Sequence, residues 1–297
     1  MTELPAFFTE ARESVNRVLE QWCERVEHDM EGRVGAAIAY SLRAPGKRIR
    51  PALVMAAHRE LGGEGDASEL AAAVEVVHTY SLVHDDLPCM DNDDLRRGRP
   101  TTHKQFDVPT ATEAGFRMVP LSARVLAAGA ARLGLDNDTL GQVGVELYRA
   151  AGASGMVGGQ VMDLEAEGKD ISLEELERIH RAKTGALIAA SVVMGAMAAK
   201  ANTGTVKVIR EYGSCIGLAF QIVDDVLDQT ATSSELGKTA GKDAAQDKAT
   251  FATLLGVEPA MKLARQHCGR AVDLLRGAQL DCTALEGLAR FIVERRR

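Results

Sequence analysis

Apolar residues spaced for helices, along nearly the whole chain, limit its fold more than any other feature. Val15, Val18, Leu19 and Trp22 recur at i, i+3, i+4 and i+7, which predicts an amphipathic helix. Pro51 stands in a first helical turn, where a missing N–H costs nothing. That helix runs through Leu53, Val54 and Ala57 to Leu61, and Gly62-Gly63 stops it. Ser68 begins another, with Ala72, Val76, Val77 and Tyr80 leading to Asp85. Ser172 and Glu175 form a capping box for a helix through Leu176, Ile179 and Lys183. Thr205 starts one through Val208, Ile209, Ile216 and Phe220 to Asp228. No stretch alternates apolar and polar residues as a strand would. The chain has 4% aromatic residues and abundant Ala, Leu, Val and Glu, a mix that suits helices. With no linker and no repeat, residues 1–297 are expected to form a single all-α domain, a bundle of roughly ten or more helices.

The bulk numbers exclude several classes. A formal net charge of −7 argues against a nucleic-acid binder, while leaving room for a local basic pocket. The cysteines Cys23, Cys89, Cys215, Cys268 and Cys282 are odd in number and scattered, so neither a disulfide framework nor a zinc site is expected. Reduced thiols in a cytoplasmic protein are the expectation. Residues 1–20 lack the basic start and apolar core of a signal peptide. The most apolar stretch, Gly185 to Ala199, lies between Lys183 and Lys200 and falls short of the ~20 residues that span a bilayer. It reads as a buried helix, with Gly185, Ala189 and Gly195 admitting a neighbouring helix. No membrane insertion is expected.

Two acidic clusters carry the chemistry. The first is Asp85-Asp86-Leu87-Pro88-Cys89-Met90-Asp91, followed by Asn92-Asp93-Asp94-Leu95-Arg96-Arg97-Gly98. So many adjacent carboxylates repel one another unless cations neutralise them. The mostly apolar run before Asp85 puts the pair at the end of a partly buried helix; Pro88 breaks that helix and lets Asp91 fold back towards Asp85. The second is Phe220-Gln221-Ile222-Val223-Asp224-Asp225-Val226-Leu227-Asp228, where Asp224 and Asp228 share a helix face. Like charges at that spacing destabilise a bare helix, and the apolar flanks argue against a solvated face. Oxygen donors without His or Cys favour Mg²⁺ or Ca²⁺ over zinc. Mg²⁺ usually takes one or two carboxylates plus phosphate oxygens, so a bound diphosphate fits such sparse ligation.

Such a site also needs fixed cations. Gly46-Lys47-Arg48-Ile49-Arg50-Pro51 places Lys47 and Arg50 before a helix N-terminus, which itself favours anions. Arg96, Arg97, Lys183 beside Thr184, and Lys238 complete the set. The segment lacks the full P-loop pattern, so a nucleotide triphosphatase is disfavoured. Long polar loops are expected at 88–106 and 229–249, each directly after an aspartate cluster, as a rim would be.

Gly46–Pro51, Asp85–Asp91 with Arg96-Arg97-Gly98, Gly158-Gly159-Gln160, Lys183-Thr184, Phe220–Asp228 and Leu236-Gly237-Lys238 together resemble, in order and separation, the short-chain trans-prenyl diphosphate synthases, in particular bacterial farnesyl diphosphate synthases. The similarity runs from about residue 30 to the C-terminus. It implies an isoprenoid synthase fold, with helices around a central cavity, and a homodimer. It implies that Asp85, Asp91 and Asp224 ligate Mg²⁺, about three ions per site. Asp86, Asp225 and Asp228 would ligate or support. Arg96, Lys183, Thr184, Gln221 and Lys238 would hold an allylic diphosphate; Gly46, Lys47, Arg50, His78 and Arg97 would hold isopentenyl diphosphate. Neutralising the departing diphosphate makes it a good leaving group. The allylic cation then alkylates the isopentenyl double bond, and a proton is lost.

The resemblance also bears on product length. Tyr80, with Ser81 beside it, lies five residues before Asp85, over one helical turn below the metal site. A bulky ring there would floor the elongation pocket, an arrangement that goes with a C15 product; geranyl and geranylgeranyl diphosphate are the alternatives. One segment departs from the family: Ala114-Gly115-Phe116-Arg117-Met118-Val119-Pro120 has Phe116 at the usual acidic position, and Pro120 is expected to kink or restart the helix. Two rival readings remain. A class I terpene cyclase would not need the Lys47, Arg50 and Arg97 pocket, and a non-catalytic partner subunit often loses one aspartate cluster.

Overall fold

A computed structural model describes residues 6–230 and 248–295. Among them, twelve helices have eight residues or more: α1 (Ala6–Asp29), α2 (Arg33–Leu42), α3 (Ile49–Glu60), α4 (Ser68–Asp85), α6 (Val108–Arg132), α7 (Asn137–Ala151), α8 (Met156–Ala166), α9 (Leu173–His180), α10 (Ala186–Ala198), α11 (Thr203–Thr230), α13 (Val257–Gly277) and α14 (Thr283–Glu294). The short α5 (Thr102–Gln105) and α12 (Phe251–Leu255) complete the helices, and a π-helical turn, Arg181–Gly185, joins α9 to α10. No described helix is long and apolar enough to cross a membrane. All five cysteines are unpaired thiols.

The apolar spacing becomes the core. Val15, Val18, Leu19 and Trp22 of α1 pack with Ile38, Val74 and Val77 on one side of the bundle. Leu53, Ile188, Val192, Ile209 and Tyr212 form a second cluster on α3, α10 and α11. Helix α10 is central, and small residues let its neighbours close in. A Cβ on Gly195 would lie 2.2 Å from the Val54 carbonyl oxygen of α3. Where α11 crosses, Gly213 abuts Ala189 and Gly217 abuts Gly185. Ser172 and Glu175 make the predicted capping box.

Three local expectations change. Helix α11 begins at Thr203 rather than Thr205, because the Asn202 side chain accepts the Thr205 N–H at 2.9 Å. Helix α6 runs unbroken through Pro120, which sits on its exposed face while Met118, Leu121 and Val125 anchor the buried one. The 88–106 loop holds a two-stranded hairpin, β1 (Leu95–Arg96) with β2 (Arg99–Pro100). Its two-residue turn is Arg97-Gly98, both at positive φ (56° and 74°), as the tightest hairpin turns require.

Candidate active site

Helix α4 and helix α11 deliver the two acidic clusters to one cavity of about 750 Å³. Helix α4 ends at Asp85, short of Pro88, and the chain doubles back so that the Asp91 N–H donates to the Asp85 carbonyl at 2.8 Å. Asp85 and Asp224 both line the cavity, although 139 positions separate them in the chain. Burial, with Asp91 and Asp86 adding to it against Lys183 and Arg96, pushes the Asp85 carboxyl up to about 6. Burial likewise raises Asp86 to about 6 despite the Arg96 guanidinium at 2.6 Å. A divalent cation would relieve that strain, and the donors are all hard oxygens. Among the described residues no three His, Cys, Asp or Glu side chains form a metal cage alone. The set therefore fits an ion that completes its shell with substrate phosphate oxygens.

The cations ring the same end. Lys47, Arg50, His78, Arg96 and Arg97 line it from one side, and Lys183, Thr184 and Gln221 from the other. The His78 Nε2 lies 3.2 Å from the Arg50 guanidinium, which can only donate, so that nitrogen accepts. Burial, then Arg50 and Arg97, hold His78 well below the ordinary imidazole value, so the ring is neutral. Burial lowers Arg50 to about 10, which leaves it cationic near neutral pH.

Lys183 and Thr184 sit on the π-helical turn, an irregularity that presents both side chains to the cavity. The turn packs on α8 at Gly159, where a Cβ would lie 2.2 Å from the Lys183 amide nitrogen. Thr184 donates to the Gln221 side-chain oxygen at 2.7 Å, and Gln221 donates to Asp225 at 2.9 Å.

Several predicted site residues do not line the cavity. Asp225 is buried and accepts from the Phe251 N–H at 2.9 Å, with His180 at 3.4 Å, so it ties α12 and α9 to α11. Asp86 is occupied with Arg96, Asp91 lies 3.7 Å from Lys248, and Asp228 is buried on α11. Gly46 instead leaves room for Arg97, whose Cζ would lie 3.0 Å from an added Cβ. Lys238 falls outside the described residues.

Three further residues emerge. Lys248 reaches Asp91, Asp163 and Glu167, and Asp163 also pairs with Lys183 at 2.7 Å. Arg295 donates to the Phe220 carbonyl at 2.8 Å, pairs with Asp224 at 2.7 Å and lies over the Phe220 ring. The only signals in the chain were a lysine in the second rim loop, an aspartate four residues after Gly159, and a C-terminal arginine run that looks like a solvated tail.

The cavity also has an apolar lining, which includes Phe116, Val119, Met156, Val157, Val161 and Leu227. Tyr80 stands edge-on to His84 at 5.6 Å, and His84 edge-on to Phe116 at 5.2 Å. Phe116 is thus part of the wall and, at 62% exposed, presents an apolar surface there.

Residues 31–274 match a family model described as Polyprenyl synthetase. The chain is 40% identical over 301 residues to a farnesyl diphosphate synthase of Bacillus subtilis, covering 99% of this chain and 98% of the relative. It is 42% identical over 298 residues to a chloroplastic geranylgeranyl pyrophosphate synthase of Catharanthus roseus, covering 99% and 82%. A Helicobacter pylori geranyltransferase crystallised with magnesium and isoprenyl diphosphate superposes with a TM-score of 0.80 at 29% identity, over 99% of this chain and 98% of that one.

Proposed function

This chain belongs to the polyprenyl synthetase family, and we propose that it joins isopentenyl diphosphate to dimethylallyl or geranyl diphosphate, giving farnesyl diphosphate and pyrophosphate. The observation that carries this reading is one cavity lined by Asp85 and Asp224, by two sets of cations and by apolar residues, with Tyr80 among its lining. Magnesium bound at Asp85, Asp91 and Asp224 would supply the charge that makes the allylic diphosphate a leaving group.

Arg96, Lys183, Thr184 and Gln221 hold the allylic diphosphate, and Lys238, which lies outside the described residues, is proposed to join them. Lys47, Arg50, neutral His78 and Arg97 hold the isopentenyl diphosphate beside it. The allylic C1–O bond breaks, a carbon–carbon bond forms to the isopentenyl terminal carbon, and the proton given up passes to the departing pyrophosphate. Prenyl carbons extend along the apolar side chains of Phe116, Val157 and Val161.

A C20 product is the second reading, favoured by the 42% identity to a geranylgeranyl pyrophosphate synthase. Incubation with Mg²⁺, isopentenyl diphosphate and each allylic starter, followed by mass analysis of the products, separates the readings. A C15 diphosphate is expected. A C20 product would move the assignment to geranylgeranyl diphosphate, a hydrocarbon would indicate a cyclase, and no turnover a silent subunit. The protein is further proposed to act in the cytoplasm as a homodimer, which light scattering on the purified protein tests directly.

A further inference from the structure

Arg48 shares its segment with Lys47 and Arg50 but does not enter the cavity. Its backbone is left-handed, with φ 54°, so the chain reverses there and its side chain turns inward while its neighbours line the cavity. The Arg48 side chain is 3% exposed and makes four hydrogen bonds. It donates to Asn16 Oδ1 at 3.0 Å, to the Leu42 and Ala44 carbonyls at 3.0 and 2.9 Å, and to Glu75 Oε1 at 2.5 Å. Glu75 lies mid-way along α4, 2% exposed, ten residues before Asp85. The same Oε1 is 3.4 Å from the Arg97 guanidinium at the hairpin turn. Burial alone would raise the Glu75 carboxyl, but Arg48 and Arg97 outweigh it and hold it below its ordinary value. One buried carboxylate oxygen thus joins the α2–α3 turn, helix α4 and the hairpin.

We infer that Glu75, clamped by Arg48, is a positioning group for the isopentenyl diphosphate pocket: it aims Arg97 and fixes the turn that presents Lys47 and Arg50. The inference rests on the reading that those three cations take the isopentenyl diphosphate. Glu75 is too deeply buried to meet the substrate itself. Charge makes it necessary, because Arg48, Arg50 and Arg97 would otherwise repel one another. A carboxylate also fixes a guanidinium in direction, which a solvated cation lacks.

Full-length Glu75→Gln keeps the side-chain shape and removes the charge. Its KM for isopentenyl diphosphate should rise on the order of tenfold, as for loss of one charge-assisted contact. KM for the allylic diphosphate and kcat should stay within about twofold, since the Lys183 side is untouched. Arg97→Gln should raise the same KM, and Glu75→Gln added to it should raise it little further, because the two act as a unit. If Glu75→Gln fails to fold, Glu75→Asp, which keeps the charge but draws it back from Arg97, should show the same selective rise.

Equal rises in both KM values, no rise for isopentenyl diphosphate, or fully multiplicative effects of the two variants would overturn the inference. No effect of Arg97→Gln would overturn the pocket assignment as well. An effect of Arg97→Gln without one from the foldable Glu75 variant would overturn the positioning role alone.

Discussion

Gly159 is where a single methyl group should separate helix packing from catalysis. A Cβ there would lie 2.2 Å from the Lys183 nitrogen, 2.5 Å from its Cα and 2.7 Å from the Ala182 carbonyl carbon. These neighbours are backbone, so no side chain can rotate away, and α8 and the π-helical turn must part by about 1 Å. Overpacking of this kind costs about 1–3 kcal/mol. The better helix propensity of Ala returns about 0.5–1 kcal/mol of that. The net loss of about 0–2.5 kcal/mol should lower Tm by no more than roughly 5 °C in a chain of this size.

Catalysis should suffer more than stability. Lys183 and Thr184 ride on the displaced turn, and a shift of about 1 Å in a positioning group costs on the order of a hundredfold in rate. Steady-state turnover and thermal melting of Gly159→Ala measure the two effects together. Gly269→Ala on α13 is the control: nothing lies within 4 Å of its added Cβ, so stability should hold or rise slightly. Turnover of Gly159→Ala within about twofold of the parent, at unchanged Tm, would refute the claim that α8 seats the lysine turn.

Further outcomes follow from the same site. Removing the Tyr80 ring as Tyr80→Ala should lengthen the product beyond C15; an unchanged chain length by chromatography would mean Tyr80 is not the floor. Stripping divalent ions with EDTA should abolish turnover and added Mg²⁺ should restore it, whereas EDTA-resistant turnover would remove the metal role of Asp85 and Asp224. Arg295→Gln loses the Asp224 pair and the bond to the Phe220 carbonyl, and should lower stability by about 1–3 kcal/mol in denaturant melts. Burial opposes ionisation of Asp163, but Lys183 and Lys248 outweigh it and hold the carboxyl below its ordinary value. Its contribution is thus complete above pH about 3.9 and fades as pH falls through the lower folded value. Stabilities of wild type and Asp163→Asn should therefore differ near neutrality and converge in acid; a constant gap would contradict the pairing.

What the chain alone determined was local or periodic. The α1 stripe, the Ser172–Glu175 cap, the stop of α4 ahead of Pro88 and the apolar run of α10 all depend on residues within a few positions of one another. The aspartate clusters were legible because so much like charge in a short span demands a cation, and the cationic strings because they recur in family order. Tertiary structure decided how those pieces were used. Pro120 stays helical because the buried side of α6 holds it; Asp225 braces α9 and α12 beneath the cavity. Arg48 became a buried clamp, and Lys248 and Arg295 joined the aspartates, through partners that come from distant parts of the chain. Spacing encodes which face of a helix is apolar, but a salt bridge between remote residues exists only once packing has brought them within a few ångströms and removed the water between them.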